Sequence, residues 1–381
     1  MKYCKICIIP DTRPDQFIDS NDVCSACRSF QSRKKIDWNK RLGELKKIVD
    51  EFKSNNLKWN CVIPSSGGKD STYQAIRARE LGLNPVLVTA TTCDLSEIGK
   101  KNIQNLKSLG FDTVEISTNP IIRANLNNIG LREIGDISWP EHITIFTIPM
   151  RFALNYKIPL ILWGENPQFE YGGPKKATRS NILDRAWLEE FAGLIGLRLT
   201  DLSETYKIKD IDLYPYRYPS EEELNQFKVT GLFLGYYEAW DNIRNGDVAK
   251  RNGFTSFTGS IEGGYLDFEK LDNYQHGIHD YFKYLKYGFG RTSDQLSILI
   301  RRNLISREKA IKIVKNYEGK FPKSYLKKPI EKILEKIGLS LEEFIKLCDK
   351  FTNKKIFKYN QAGELTKDDQ GNIINLMYEN K

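Results

Sequence analysis

Apolar positions in the first half of the chain follow two alternating rhythms. Ile36, Leu42, Leu45, Ile48, Val49 and Phe52 recur at helical spacing with charges between them, so residues 36 to 53 predict an amphipathic helix. Beyond it, short apolar runs at Cys61-Val62-Ile63, Pro85 to Ala90, Thr113 to Ile116 and Pro159 to Trp163 read as strands. Helical patterns near 71–81, 97–109, 121–134 and 140–156 separate them, and Gly82 and Gly110 stand where helices stop. Strand and helix in alternation predict an α/β fold with a doubly wound parallel sheet.

After about residue 200 the rhythm changes. Aromatics cluster in Tyr214-Pro215-Tyr216-Arg217-Tyr218, Ser220 and Glu223 have the spacing of a capped helix start, and a helical stretch from Ser293 to Glu318 breaks around Asn303 to Ser306. Ser340 with Glu343 opens another helix. The organisation expected is therefore residues 1–35 as a cysteine knuckle, 36–200 as the α/β domain, and 201–381 as a mainly helical region for substrate or partner.

Composition narrows the function classes. A chain of 381 residues has ample apolar material for a core and fits two or three domains. Its 58 lysines and arginines against 49 acids leave +9, a mild basic bias spread along the sequence that suits a nucleotide, an acidic sugar or RNA. No run approaches the roughly 18 apolar residues of a membrane span, and the start has no signal-peptide block, so a cytoplasmic protein is expected.

Four of the seven cysteines fall as Cys4-x2-Cys7 and Cys24-x2-Cys27, with sixteen residues between the pairs. That is the spacing of a structural zinc site with four thiolates and no open position. Cys61 and Cys348 read as ordinary core residues; Cys93, in a loop after a strand, keeps some reactive prospect.

The chemistry is expected after the first strand, where "SSGGKDS" leads into a helix. Gly67 and Gly68 let the backbone approach an anion, the free N–H groups of the helix start point at it, Ser66 and Ser71 offer hydroxyls, and Lys69 adds a full positive charge. It is neither the common mononucleotide loop, since Asp70 follows the lysine, nor a dinucleotide fingerprint.

The stretch resembles the Ser-Gly-Gly-x-Asp-Ser signature of the PP-loop ATP pyrophosphatases, which cleave ATP between the α and β phosphates. That resemblance implies a fold of the same type, a loop that grips pyrophosphate, a magnesium ion, and a substrate oxygen that becomes an adenylate. Over nearly its whole length the chain also resembles the N-acetyl sugar amidotransferases of surface-polysaccharide and flagellar-glycan synthesis. The likeness runs through "CKICIIPDTRPDQFIDSNDVCSAC", "SSGGKDS", "GKKNIQNL", "LILWGENPQFEYGG" and "HDYFKYLKYGFGRTSDQLSILIR". It implies conversion of a sugar acetamido group to an acetamidino group, with ammonia supplied by a separate glutaminase subunit.

On that reading Ser66, Gly67, Gly68, Lys69, Asp70 and Ser71 bind ATP, with Lys69 and Asp70 also catalytic, and Thr89 and Thr92 lie where adenosine would rest. Glu165 and Asn166, at the end of the fourth strand, are also catalytic candidates that hold the sugar or a metal-bound water, or else only cap a helix. Glu170 and Tyr171 follow closely as substrate candidates; Lys175, Lys176 and Arg179 form a basic cluster that meets an acidic sugar or is merely solvated. Arg291 is a candidate partner for a sugar carboxylate, and Tyr236 to Asp241 and Gly290 to Asp294 are a candidate cover or else only pack, with Asp294 capping its helix. No nucleophilic cysteine is paired with histidine or a free amino terminus as a built-in glutaminase requires; the histidines are His142, His276 and His279. Two rivals stand beside this reading. One is a tRNA sulfur transferase, which would want Cys93 reactive and a stronger basic face for RNA, so nucleic acid is the less expected partner. The other is a scaffold that binds ATP without turning it over.

Overall fold

The computed structural model describes residues 1–14, 16–53, 57–165, 197 and 199–376. Its centre is a sheet of five parallel strands: β1 (Cys61–Pro64), β2 (Pro85–Ala90), β3 (Asp112–Ile116), β4 (Leu160–Trp163) and β5 (Thr230–Phe233). They lie in the order β3-β2-β1-β4-β5, so the chain steps outward from β1 to β3 and then returns to lay β4 on the other side of β1. Val62 is thus flanked by Val86 in β2 and Ile161 in β4.

Both faces are covered, which is why these strands read as continuous apolar runs. Val62, Val86, Val88 and Ile161 pack against Ile148, Met150 and Phe152 of helix Trp139–Asn155. Ile63, Leu87, Leu162 and Leu232 face Leu45 and Val49 of helix Trp38–Lys53 and Ala75 and Ala78 of helix Lys69–Glu80. Helices Glu97–Ser108 and Pro120–Ile134 complete the α/β alternation, within two residues of where the sequence places them. Gly82 and Gly110 both take positive φ, 83° and 75°, where a side chain would be strained.

The fifth strand departs from expectation. Thr230–Phe233 lies in the region read as mainly helical, yet it pairs with β4 along its whole length, Leu160 with Thr230 through Trp163 with Phe233. The rest of that region is mainly helical, with one short antiparallel pair, Ser324–Tyr325 with Lys328–Pro329, and buries Phe282, Leu285, Ile333, Leu334 and Phe344 in a core that also takes in Leu131 and Ile137. Ser340 and Glu343 form the reciprocal capping box, as do Ser220 and Glu223. The broken stretch resolves into helices Arg291–Arg301 and Arg307–Tyr317, the second capped by Ser306, which accepts from the Lys309 N–H. Among the described residues no helix is long and apolar enough to cross a membrane.

The amino-terminal knuckle sits on the C-terminal helices. Phe289 packs among its cysteines, Arg307 donates to the Cys7 carbonyl over 3.1 Å, and Arg13 pairs with the buried Asp294.

Candidate functional site

The order β3-β2-β1-β4-β5 places a topological switch between β1 and β4, where open parallel sheets form a crevice beyond their carboxyl ends. The sequence sends "SSGGKDS" into that crevice from β1 and Gly164-Glu165 from β4. Gly67 turns the chain at φ 76°, and a Cβ there would come within 2.9 Å of the Ile103 backbone nitrogen and Cγ1. Only glycine fits. Gly68 is the N-cap of helix Lys69–Glu80, and no side chain caps it, so the first-turn N–H groups are left to an outside acceptor. The Ser71 and Thr72 hydroxyls donate to the Gly68 carbonyl at 3.0 and 2.9 Å, which braces the turn from behind, while Ser66 is exposed at its tip.

Lys69 is almost wholly buried, with Nζ 2.5 Å from Asp70 and 3.6 Å from Glu269. Burial alone would discharge it, but Asp70 and Glu269, with Glu165 further off, outweigh that and raise its pKa above the ordinary lysine value. Glu269 is buried too. It accepts from Arg291 at 2.5 Å, Gln295 at 2.8 Å and Asn242 at 3.2 Å, and despite burial Arg291 and Lys69 hold its carboxyl well below the usual range. The second Asp70 oxygen accepts from Asn245 at 3.0 Å. A cation is therefore fixed at the mouth of the loop by groups from three separate segments.

Beside the loop is a cavity of about 290 Å³ lined by Ser66, Asp70, Gln74, Thr92, Trp163, Glu165 and Trp240. A smaller one of about 140 Å³ lies over residues 66–71 and is closed by Phe268, Glu269, Asp272 and Arg291. Together they offer an apolar slot next to an anion cradle, a shape suited to a nucleoside with a phosphate chain.

Of the candidate residues, Ser66 to Ser71, Thr92 and Glu165 converge here. Thr89 lies on the opposite face of β2 from Val88 and Ala90, which line the larger cavity, and is buried. Arg291 reaches the smaller cavity with its guanidinium bonded to Glu269. Asn166, Glu170, Tyr171, Lys175, Lys176 and Arg179 lie outside the described residues. Within the aromatic 236–241 stretch, Trp240 lines the cavity, while Glu238 accepts from the Tyr73 hydroxyl at 3.0 Å and Arg77 at 2.6 Å. Asp294 does not cap its helix; it is buried between Arg13 and Lys283. Glu269, Asn245, Gln74 and Asp272 escaped the sequence reading, because their roles come from pairing across the fold rather than from local spacing.

The four knuckle cysteines are buried, and their sulfurs all lie within 4.8 Å of one another. Cys4 and Cys27 are 3.9 Å apart and Cys7 and Cys24 3.6 Å, too far for a disulfide. Thiolates about 2.3 Å from one tetrahedral ion lie about 3.8 Å from each other, so the set fits zinc. The N–H groups of Cys24 and Cys27 donate to the Cys4 and Cys24 sulfurs at 3.3 and 3.4 Å, as expected of anionic thiolate ligands. Cys93 is different: burial, with Glu141 and Asp94 nearby, pushes its thiol up to about 12.

Residues 251–368 match the C-terminal domain of the family described as LPS biosynthesis protein WbpG-like. That segment contains Glu269, Asp272 and Arg291. No curated protein matches the chain. Among solved structures, one similar chain is the NMN synthetase from Francisella tularensis, at 12% identity, covering 59% of this chain and 100% of that one, with a TM-score of 0.27.

Proposed function

We propose that this chain is an ATP-dependent amidotransferase of the PP-loop ATP pyrophosphatase type that acts on an N-acetylated acidic sugar for surface-glycan synthesis. The observation that carries the reading is the uncapped helix start at Gly68 with buried Lys69 beside it, at the switch point of the sheet. The match of residues 251–368 to a lipopolysaccharide-biosynthesis domain supports the sugar substrate. An acetamido oxygen is a poor leaving group. It attacks the α-phosphorus of ATP, pyrophosphate departs toward the first-turn N–H groups and Lys69, and the oxygen now carries AMP. Ammonia adds to the imidate carbon, AMP leaves with the oxygen, and loss of a proton gives the amidine. Asp70, whose side chain keeps 35% of its surface open, is the residue to hold the magnesium ion that neutralises phosphate charge. Glu165 faces the larger cavity, where the sugar amide would meet the α-phosphate.

Ammonia comes from a separate glutaminase subunit in this reading, and zinc holds the knuckle. Outside the knuckle, burial raises the thiols of Cys61, Cys93 and Cys348, which favours a glutaminase outside this chain and weighs against sulfur transfer to a tRNA base. The test is incubation with ATP, magnesium, ammonia and an acidic N-acetylated sugar. The expected products are AMP, pyrophosphate and a sugar in which one oxygen is exchanged for NH; ADP and orthophosphate would overturn the reading.

A further inference from the structure

Two histidines and an aspartate meet at a corner of the fold apart from the knuckle. Asp136 follows the left-handed Gly135 that ends helix Pro120–Ile134, His142 lies in the first turn of helix Trp139–Asn155, and His279 projects from helix His276–Tyr287. His279 Nδ1 is 2.8 Å from one Asp136 oxygen, and His142 Nδ1 is 3.2 Å from the other. The two rings meet edge to face with centroids 5.1 Å apart. One donor atom from each of the three residues falls within 4.8 Å of the others.

We propose that Asp136, His142 and His279 form a second metal site, independent of the four cysteines, which takes a divalent transition ion of the zinc class with water as the fourth ligand. Donors about 2.0–2.1 Å from a tetrahedral ion lie about 3.3 Å apart; His142 Nδ1 and His279 Nδ1 lie 3.2 and 2.8 Å from the two oxygens of Asp136, and one ligand atom from each residue falls within 4.8 Å of the others. Two imidazoles and one carboxylate select zinc or cobalt over magnesium or calcium. The side chains keep 15% of Asp136, 34% of His142 and 21% of His279 exposed, open enough to admit water and an ion but not a free surface cluster. Lys270, near His279, and Lys286, near Asp136, are the cations that oppose a metal ion there and weaken the site relative to the knuckle. Bound ion would pin the corner between two sheet-layer helices to helix His276–Tyr287. On that helix His276 Nε2 is 3.0 Å from Asp272, which lines both cavities.

The test needs no activity. The full chain, cleared of loosely bound metal, is titrated with zinc and with cobalt(II), and bound metal is counted. Wild type is expected to take two equivalents, and H142A and H279A one, with unchanged circular dichroism. The second cobalt equivalent should show ligand-field bands without added thiolate charge transfer, and H142A should lose them. Because His142 is the most exposed of the three, H142A tests the site even if H279A folds poorly. A single equivalent in wild type, or a second one that survives in H142A, overturns the proposal. So does loss of stability in both variants with no zinc dependence in wild type, which would make the trio a hydrogen-bonded clamp only.

Discussion

A carboxylate oxygen of Glu269 lies 3.6 Å from Nζ of Lys69, so the cation of the candidate phosphate loop is held from behind by the C-terminal part of the chain. Both side chains are more than nine-tenths buried. Removing the carboxylate charge in Glu269→Gln takes one anion from Lys69, which keeps Asp70, and one from Arg291. The variant is expected to lose about 3–5 kcal/mol, read as a lower urea midpoint. Added pyrophosphate should restore part of the loss, since it brings negative charge to the same place.

Lys69→Met keeps the length of the side chain and its packing near Phe268. Glu269 stays paired with Arg291, so the fold should survive. AMP release should fall by about 10²–10³, the range for removing one preorganised group that stabilises developing charge.

Gly67 and Gly68 should respond unequally to alanine. At Gly67 the new methyl meets backbone and φ is 76°, whereas at Gly68 φ is −71° and the nearest atom is the Ser66 Oγ, a side-chain atom, at 3.2 Å. Gly67→Ala is expected to cost about 1–3 kcal/mol and to abolish ATP binding. Gly68→Ala should cost less than half of that, measured by thermal melts and calorimetric titration.

Chelation or Cys24→Ser should strip the knuckle of metal. Because Phe289, Arg13 and Ile8 tie the knuckle to helix Arg291–Arg301, hydrogen exchange is expected to accelerate there as well as in residues 1–35. A knuckle that melts while that helix keeps its protection would contradict the coupling.

Burial raises the Glu318 carboxyl to about 7, against bonds donated by the Ser293 N–H and hydroxyl that favour its charged form. The folded state therefore binds this proton more tightly than the unfolded chain. The stability it adds is complete below the ordinary value of 4.5 and is lost as pH rises through about 7. Melting temperature should decline across that window in wild type and less steeply in Glu318→Gln.

Much of the frame was legible in the sequence, for physical reasons. Strands β1, β2 and β4 bury both faces, which writes them as apolar runs, and glycine punctuates the helices at 82 and 110. The loop is contiguous, and the cysteine spacing is itself a ligand pattern. What escaped is nonlocal. Thr230–Phe233 is four residues with a glycine second, too short to show a period. Glu269 sits between Phe268 and Lys270 with no spacing to mark it, and it becomes a hub only when the chain folds back onto Lys69.

β5 also bears on how the chain is made. Until Thr230–Phe233 leaves the ribosome, the outer edge of β4 lacks the strand that pairs with it among the described residues, and all four β4 residues are ones the finished protein buries. Synthesis through residue 233 therefore sets the earliest moment at which β5 can seal that edge of the sheet against aggregation.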